Sequence, residues 1–290
     1  ADALVADANP LLDRVLVNRV WAHVFGRGLV PTVDNFGAMG QGPTHPELLD
    51  WLAADFRRRG RSIKGLIRSL CLTRTYGMSS SPGDAGVEAR DPDNALLHRM
   101  RLVRLEGETV RDALLAASGR LNPEQFGPSV PTHFTPFMGD RMWVKNADGP
   151  LDGNGRRSVY LETRRNFLSP WMLAFDLPVP DTTVGQRNSS NVPGQALALM
   201  NDPLVRQQAD VWAANLVRRF PGDSRRRVES LFLGALGRPP LPVEADRILA
   251  FLAAQAGERG IGPDAIDGDP SLWADACHVL FMSKEFIHVP

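Results

Sequence analysis

Apolar residues recur at helical spacing in both end regions of this chain, and glycine or proline stops each run after a few turns. Ile63, Leu66, Ile67, Leu70 and Cys71 fall at i, i+3, i+4, i+7 and i+8. Leu48, Leu49, Leu52 and Phe56 mark one face of the preceding segment, and RRVESLFLGAL and VEADRILAFLAAQ repeat the pattern in the second half. The ends are punctuated as helices require. Asn9–Pro10 opens the first helix and Gly26 and Gly28 close it, Thr44 or His45 caps the second, Ser62 the third and Asp202 a later one, while Gly119 and Gly237 terminate others. The spacing predicts a mainly α, multi-helix globular chain of eight or nine helices.

Between these regions lie two segments of a different kind. Residues 79–91 (SSSPGDAGVEARD) are small, polar and turn-rich, and read as a flexible loop. Residues 120–168 form a long irregular stretch in which RMWVK and RSVYLE flank NADGPLDGNGR, the pattern of a small β-hairpin with a long loop. A loop of that length inside a domain is unusual and often functional. The expected organisation is one helical domain over 1–290, subdivided as helical 1–120, irregular or β 121–192 and helical 193–290.

The 290 residues carry 33 basic and 33 acidic side chains, so no net field favours nucleic acid or an anionic membrane. Lys64, Lys145 and Lys284 are the only lysines, and arginine supplies the rest of the positive charge. Arginine suits buried pairing with carboxylates, although a GC-rich coding genome produces the same bias. Cys71 and Cys277 both sit at apolar helical positions, where packing is the default role. No apolar run is long enough to span a bilayer.

The six histidines, His23, His45, His98, His133, His278 and His288, include no HExxH or HxH spacing, and no paired zinc ligands or CxxCH appear. The nucleophile elbow, Walker loop and dinucleotide fingerprint are also absent, so no metal and no standard enzyme class is indicated. What stands out is a set of polar residues in apolar surroundings. On the first helix, Leu12, Leu16, Arg19 and His23 share a stripe, and a helix this apolar reads as largely buried. A buried guanidinium or imidazole needs partners. Arg19 can pair with Asp34 or Glu47 as a structural clamp, or the residues can form a site. The candidate polar pocket is Asn18, Arg19, His23, Asp34, His45, Tyr160, Arg164, Asn166, Arg187 and Asn188. Arginine and asparagine near aromatic rings bind carboxylates, phosphates or sugar hydroxyls. RNSSN before Gly194 adds backbone N–H groups at a helix start. Trp21, Trp51, Trp212 and Trp273 fall at core positions, whereas Trp143 lies in the irregular region and suits stacking on a sugar.

NPLLDRVLVNRVWAHVFGRGLVPTVDNFG and THPELLDWLAADF resemble the opening of a planctomycete-specific domain of unknown function. RLEGETVRDALLAASGRL, GPSV, SVYLETRRN, FDLPVPDTTVGQRNSSNVPGQALALMND, LFLGALGRPP and FMSKEF extend the resemblance, in order, over almost the whole chain. The chain departs from that pattern at LTRTYGMSS, where a more polar residue is expected in place of Gly77, and this leaves the Tyr76 region without an inferred role. Such domains typically lie C-terminal in large exported proteins of Planctomycetes, often with a planctomycete-type cytochrome c domain upstream and sometimes with carbohydrate-binding-like modules. The resemblance therefore implies an extracytoplasmic fragment of a longer protein. Any c-type haem would sit on an upstream domain and no cofactor on this chain. No catalytic residue carries over, because the family has no established activity.

These readings favour an accessory or binding domain that packs on its upstream neighbour and contributes to partner or glycan binding, without nucleic acid and without a membrane span. The alternative is an enzyme, or part of one, acting on a polyhydroxylated or anionic substrate in the His/Arg/Asn pocket.

Overall fold

Helical spacing locates nine of the eleven α-helices found among the described residues. The computed structural model describes residues 6, 9–133, 149–165, 167–181 and 183–289. The helices are α1 (Leu11–Phe25), α2 (Pro46–Arg58), α3 (Ile63–Cys71), α4 (Ala85–Arg90), α5 (Gly107–Ser118), α6 (Pro170–Ala174), α7 (Pro193–Asn201), α8 (Pro203–Arg219), α9 (Ser224–Leu236), α10 (Pro242–Glu258) and α11 (Pro270–Phe281). The two that spacing does not announce, α4 and α6, are too short for an apolar repeat. Their caps hold them: the Asp84 carboxylate accepts from Gly86 N–H at 2.7 Å and the Ser169 hydroxyl from Met172 N–H at 3.5 Å. The first of these lies inside the segment expected to be flexible.

A small antiparallel sheet pairs β1 (Val103–Arg104) with β2 (His288–Val289). Among the described residues, the paired strands lie away from the segment in which the hairpin is expected. RMWVK and Trp143 lie outside the described residues. Within RSVYLE, Ser158–Tyr160 form a 3-10 turn, and this chain runs beside residues 122–130 through isolated parallel bridges at Asn122–Arg156 and Val130–Leu161.

The chain divides into two compact units, residues 1–103 with 184–186 and 289–290, and residues 104–183 with 187–288. The expected division points near 120 and 192 both fall inside the second unit.

In the first unit, α1 buries Val17, Trp21 and Phe25 against Leu49, Leu52 and Phe56 of α2 and Leu66 and Leu70 of α3. Each such side chain contributes roughly 1.5–3 kcal/mol when fully buried. Two expectations are corrected here. Arg19 and His23 are exposed, because they lie roughly 200° and 240° around the helix from Val17. Trp51 is 57 % exposed, roughly 200° around α2 from Leu49. The polar groups that α1 buries are Asp13 and Asn18. Asp13 accepts from Arg57 Nε at 2.6 Å and Arg61 Nε at 2.8 Å, tying α1 to the end of α2 and the turn after it. Asn18 donates to Val30 O at 3.0 Å and accepts from Val30 N at 2.8 Å, which folds the loop after α1 back along the helix.

In the second unit, α8 and α11 pack along each other, with Trp212 stacked on Phe281 at 5.1 Å between ring centroids. Val110 and Leu114 of α5, Trp171 of α6 and Leu231 of α9 join this core. Arg227 is buried with its guanidinium over the Trp273 ring and is satisfied by the carbonyls of Phe220 and Asp267. Cys277 is buried in the same core, Cys71 is partly exposed on α3, and both are free thiols.

The Asp13 clamp gives a direct expectation. Replacing Asp13 by Ala lowers stability by roughly 2–3 kcal/mol in denaturant unfolding, toward the low end for a buried pair because both arginines stay about one-third exposed. The hydrogen bond from Arg61, with that from Arg57, holds the Asp13 carboxyl below its ordinary range. Its contribution is therefore complete above the ordinary aspartate pKa and is lost as pH falls through the lowered value.

Candidate functional site

The irregular chain of the second unit is shaped by one buried cation. Arg111, 3 % exposed on α5, donates to Asp152 O at 2.7 Å, Arg156 O at 2.9 Å and Ser158 Oγ at 3.1 Å. Burial lowers its pKa, and Asp112 and Asp152 partly offset that. Asp112 accepts from the backbone N–H and hydroxyl of Ser158, each at 2.7 Å, and Arg120 pairs with Asp152 at 2.6 Å. Residues 152–158 are thereby fastened along α5. Gly149 sits so close to the 131–132 backbone that a Cβ would stand 1.9 Å from Pro131 O, and its N–H donates to Thr132 O. Only glycine permits that approach.

These segments and the start of α8 enclose a cleft of about 70 Å³. Leu161, Trp171, Met172 and Leu204 give it apolar walls, and Thr132, His133, Ser169 and Asp202 give it polar groups. Asp202 caps α8 by accepting from Leu204 N–H at 2.8 Å. Burial nevertheless pushes its carboxyl above the usual range, and the Leu204 hydrogen bond and nearby His133 only partly counter this. His133 Nδ1 lies 3.0 Å from Gly149 O. A carbonyl only accepts, so Nδ1 carries a proton there. A carboxyl that holds its proton more tightly than usual, beside an imidazole in an apolar-walled cleft, offers hydrogen-bonding partners to a bound hydroxyl. A second cleft of about 80 Å³ shares Thr132, Leu161, Ser169 and Met172 with the first and is bordered by Glu108, Glu162 and Arg164.

The residues expected from sequence take varied places. In the first unit, Arg19 meets Asp34 at 3.2 Å, the pairing anticipated for it, and both side chains are about half exposed. Asp34 also accepts from Gly185 N–H at 3.0 Å. His45 Nδ1 lies 3.0 Å from Thr44 Oγ1, and His23 is exposed. In the second unit, Tyr160 accepts from Phe126 N–H through its hydroxyl at 2.8 Å, and its ring lies 4.1 Å from the Arg156 guanidinium carbon. Arg187 is held by Glu108 at 2.8 Å and Glu106 at 3.1 Å, and Asn188 is exposed. Arg164 pairs with Glu162 at 3.1 Å and borders the second cleft. Asn166 lies outside the described residues. Sequence reasoning did not single out Arg111, and it read Asp202 only as a helix cap. The signal for Asp202 was its place in ALMNDPLV, a carboxylate amid apolar residues. Among the described residues, no group of three or more His, Cys, Asp or Glu side chains is arranged to hold a metal.

The family described as PSD1, protein of unknown function (DUF1553), matches residues 1–252. The chain belongs to this family. The matched span includes α1 through α9, both clefts and most of α10, and stops before α11. No curated protein and no solved structure matches the chain.

A carboxyl whose folded pKa is raised costs stability once pH exceeds its unfolded value. Asp202→Asn keeps a capping oxygen and removes the charge. The variant should melt at a higher temperature than the parent at pH 7, and the gap should close as pH falls through the ordinary aspartate range. Calorimetric melts across pH measure both.

Proposed function

We propose that this PSD1-family chain is a binding domain that takes a small polyhydroxylated ligand, such as the end of a glycan, into the cleft bordered by His133, Trp171 and Asp202. The observation that carries this reading is the meeting of Asp202, His133 and the Thr132 and Ser169 hydroxyls with an apolar and aromatic wall in one cleft. Several donors and acceptors facing hydrocarbon match a sugar, whose hydroxyls need partners and whose C–H faces pack on apolar surface. The adjoining cleft with Arg164 and Glu162 extends the surface for a second ring. In the same reading, the domain belongs to an exported protein, packs on an upstream domain, and works beside a c-type cytochrome carried elsewhere in that protein. That setting follows from the family resemblance of the sequence.

A second reading, catalysis in the same cleft, is favoured by the raised Asp202 carboxyl, which retains a proton to donate at higher pH than an ordinary aspartate. Hydrolysis of a glycoside that Asp202→Asn abolishes would establish it.

Neutral mono- and disaccharides titrated into the protein should shift the Trp171 indole N–H resonance saturably. Asp202→Asn and His133→Ala should each weaken binding about tenfold or more. A glycan panel that leaves Trp171 unmoved overturns the binding reading.

A further inference from the structure

Arg27 and Arg101 converge on a small pocket in the first unit, behind the loop that follows α1. The pocket is bordered also by Trp21, Thr44, Asn94 and Leu97, and it has room for about 10 Å³, roughly one water-sized atom. The two guanidinium groups are poorly compensated. Arg27 makes no ion pair with any described residue. Arg101 donates from Nη2 to the carbonyl oxygens of Asp93 and Asn94, and its Nε–H is buried without an acceptor. The nearest carboxylates are Asp91 and Asp93, and Asp91 is committed to the backbone N–H groups of Ala95 and Leu96. Neighbouring Arg99 adds positive charge and is itself paired with Glu88. Burial lowers the Arg101 pKa, and repulsion from Arg27 is the next cause.

Leaving a guanidinium N–H buried without an acceptor is costly, and holding a second cation beside it adds to that cost. An anion between the two guanidinium groups relieves their repulsion. The fixed fork of arginine donors matches the oxygens of phosphate, sulfate or carboxylate. Left-handed backbone at Asn94 (φ 50°) and Leu97 (φ 58°) brings the wall together, braced by Asn94 Nδ2 donating to Arg99 O at 2.8 Å.

We propose that this pocket is an oxyanion site: one oxygen of a phosphate, sulfate or carboxylate group sits between the guanidinium groups of Arg27 and Arg101, and the rest of the group stands in the pocket mouth. The site lies in the first unit and does not depend on the reading of the His133/Asp202 cleft.

The test follows the arginine Nε–H resonances by NMR while inorganic phosphate, inorganic sulfate, acetate and glycerol phosphate are titrated in at constant ionic strength, with chloride as the control. A saturable shift of Arg101 Nε–H with at least one oxyanion and none with chloride is expected. Arg27→Ala, which alters a partly exposed side chain without an ion pair, should weaken that binding about tenfold while leaving the fold intact. Saturation by an inorganic ion shows that the free anion suffices, and saturation by glycerol phosphate alone assigns the site to the anionic group of a larger ligand. No saturable shift at Arg101 with any of them, or equal affinity in Arg27→Ala, overturns the proposal.

Discussion

The second unit depends on the guanidinium of Arg111. Without it, the carbonyl of Arg156 would lose its donor, and residues 152–158 would be left to Asp112 on Ser158 and Arg120 on Asp152. Arg111 itself forms part of the cleft wall, as do Gly153 and Leu161 from the segment it fastens. The geometry of the candidate site is thus set one step back, by a cation that satisfies backbone instead of pairing with a single carboxylate. Burial opposes this arrangement, and the nearby Asp112 and Asp152 make it tolerable.

Both units also use arginine to clamp carboxylates, which gives physical content to a composition nearly without lysine. Arg57 and Arg61 hold Asp13, Arg187 holds Glu106 and Glu108, and Arg238 joins Glu244 to Glu285. A planar fork reaches two acceptors at once, so a single side chain can join two segments of the chain. Arg27 and Arg101 stand apart, bordering one small pocket without an ion pair to a described carboxylate.

Periodicity and punctuation made the long helices legible. Ser62 and Asp202 cap where their positions implied, and Gly26, Gly119 and Gly237 end helices in the left-handed conformation. What remained hidden depended on which face of a helix turns inward. On an all-round apolar helix such as α1, period alone does not rank the faces, so the sequence pattern points to Arg19 and His23 as the buried polar groups and gives no sign of Asp13. The same ambiguity misplaced Trp51. For the cleft the difficulty was long range. Thr132, His133, Gly149 and Asp202 meet through backbone contacts and a glycine-only approach that have no sequence period. The pairing of Arg19 with Asp34 was readable because a short loop brings the second back to the first.

Helix α5 connects these features in one further respect. Near its start Glu108 holds Arg187, along its middle Arg111 and Asp112 hold residues 152–158, and at its end Ser118 bonds to Gln208 and Asn215 of α8. Its other face is the core, through Val110 and Leu114. The cleft wall that includes Gly153 is therefore tied directly to α5. That part of the wall is fastened to the same rod as the hydrophobic interior, so it loosens only together with the core.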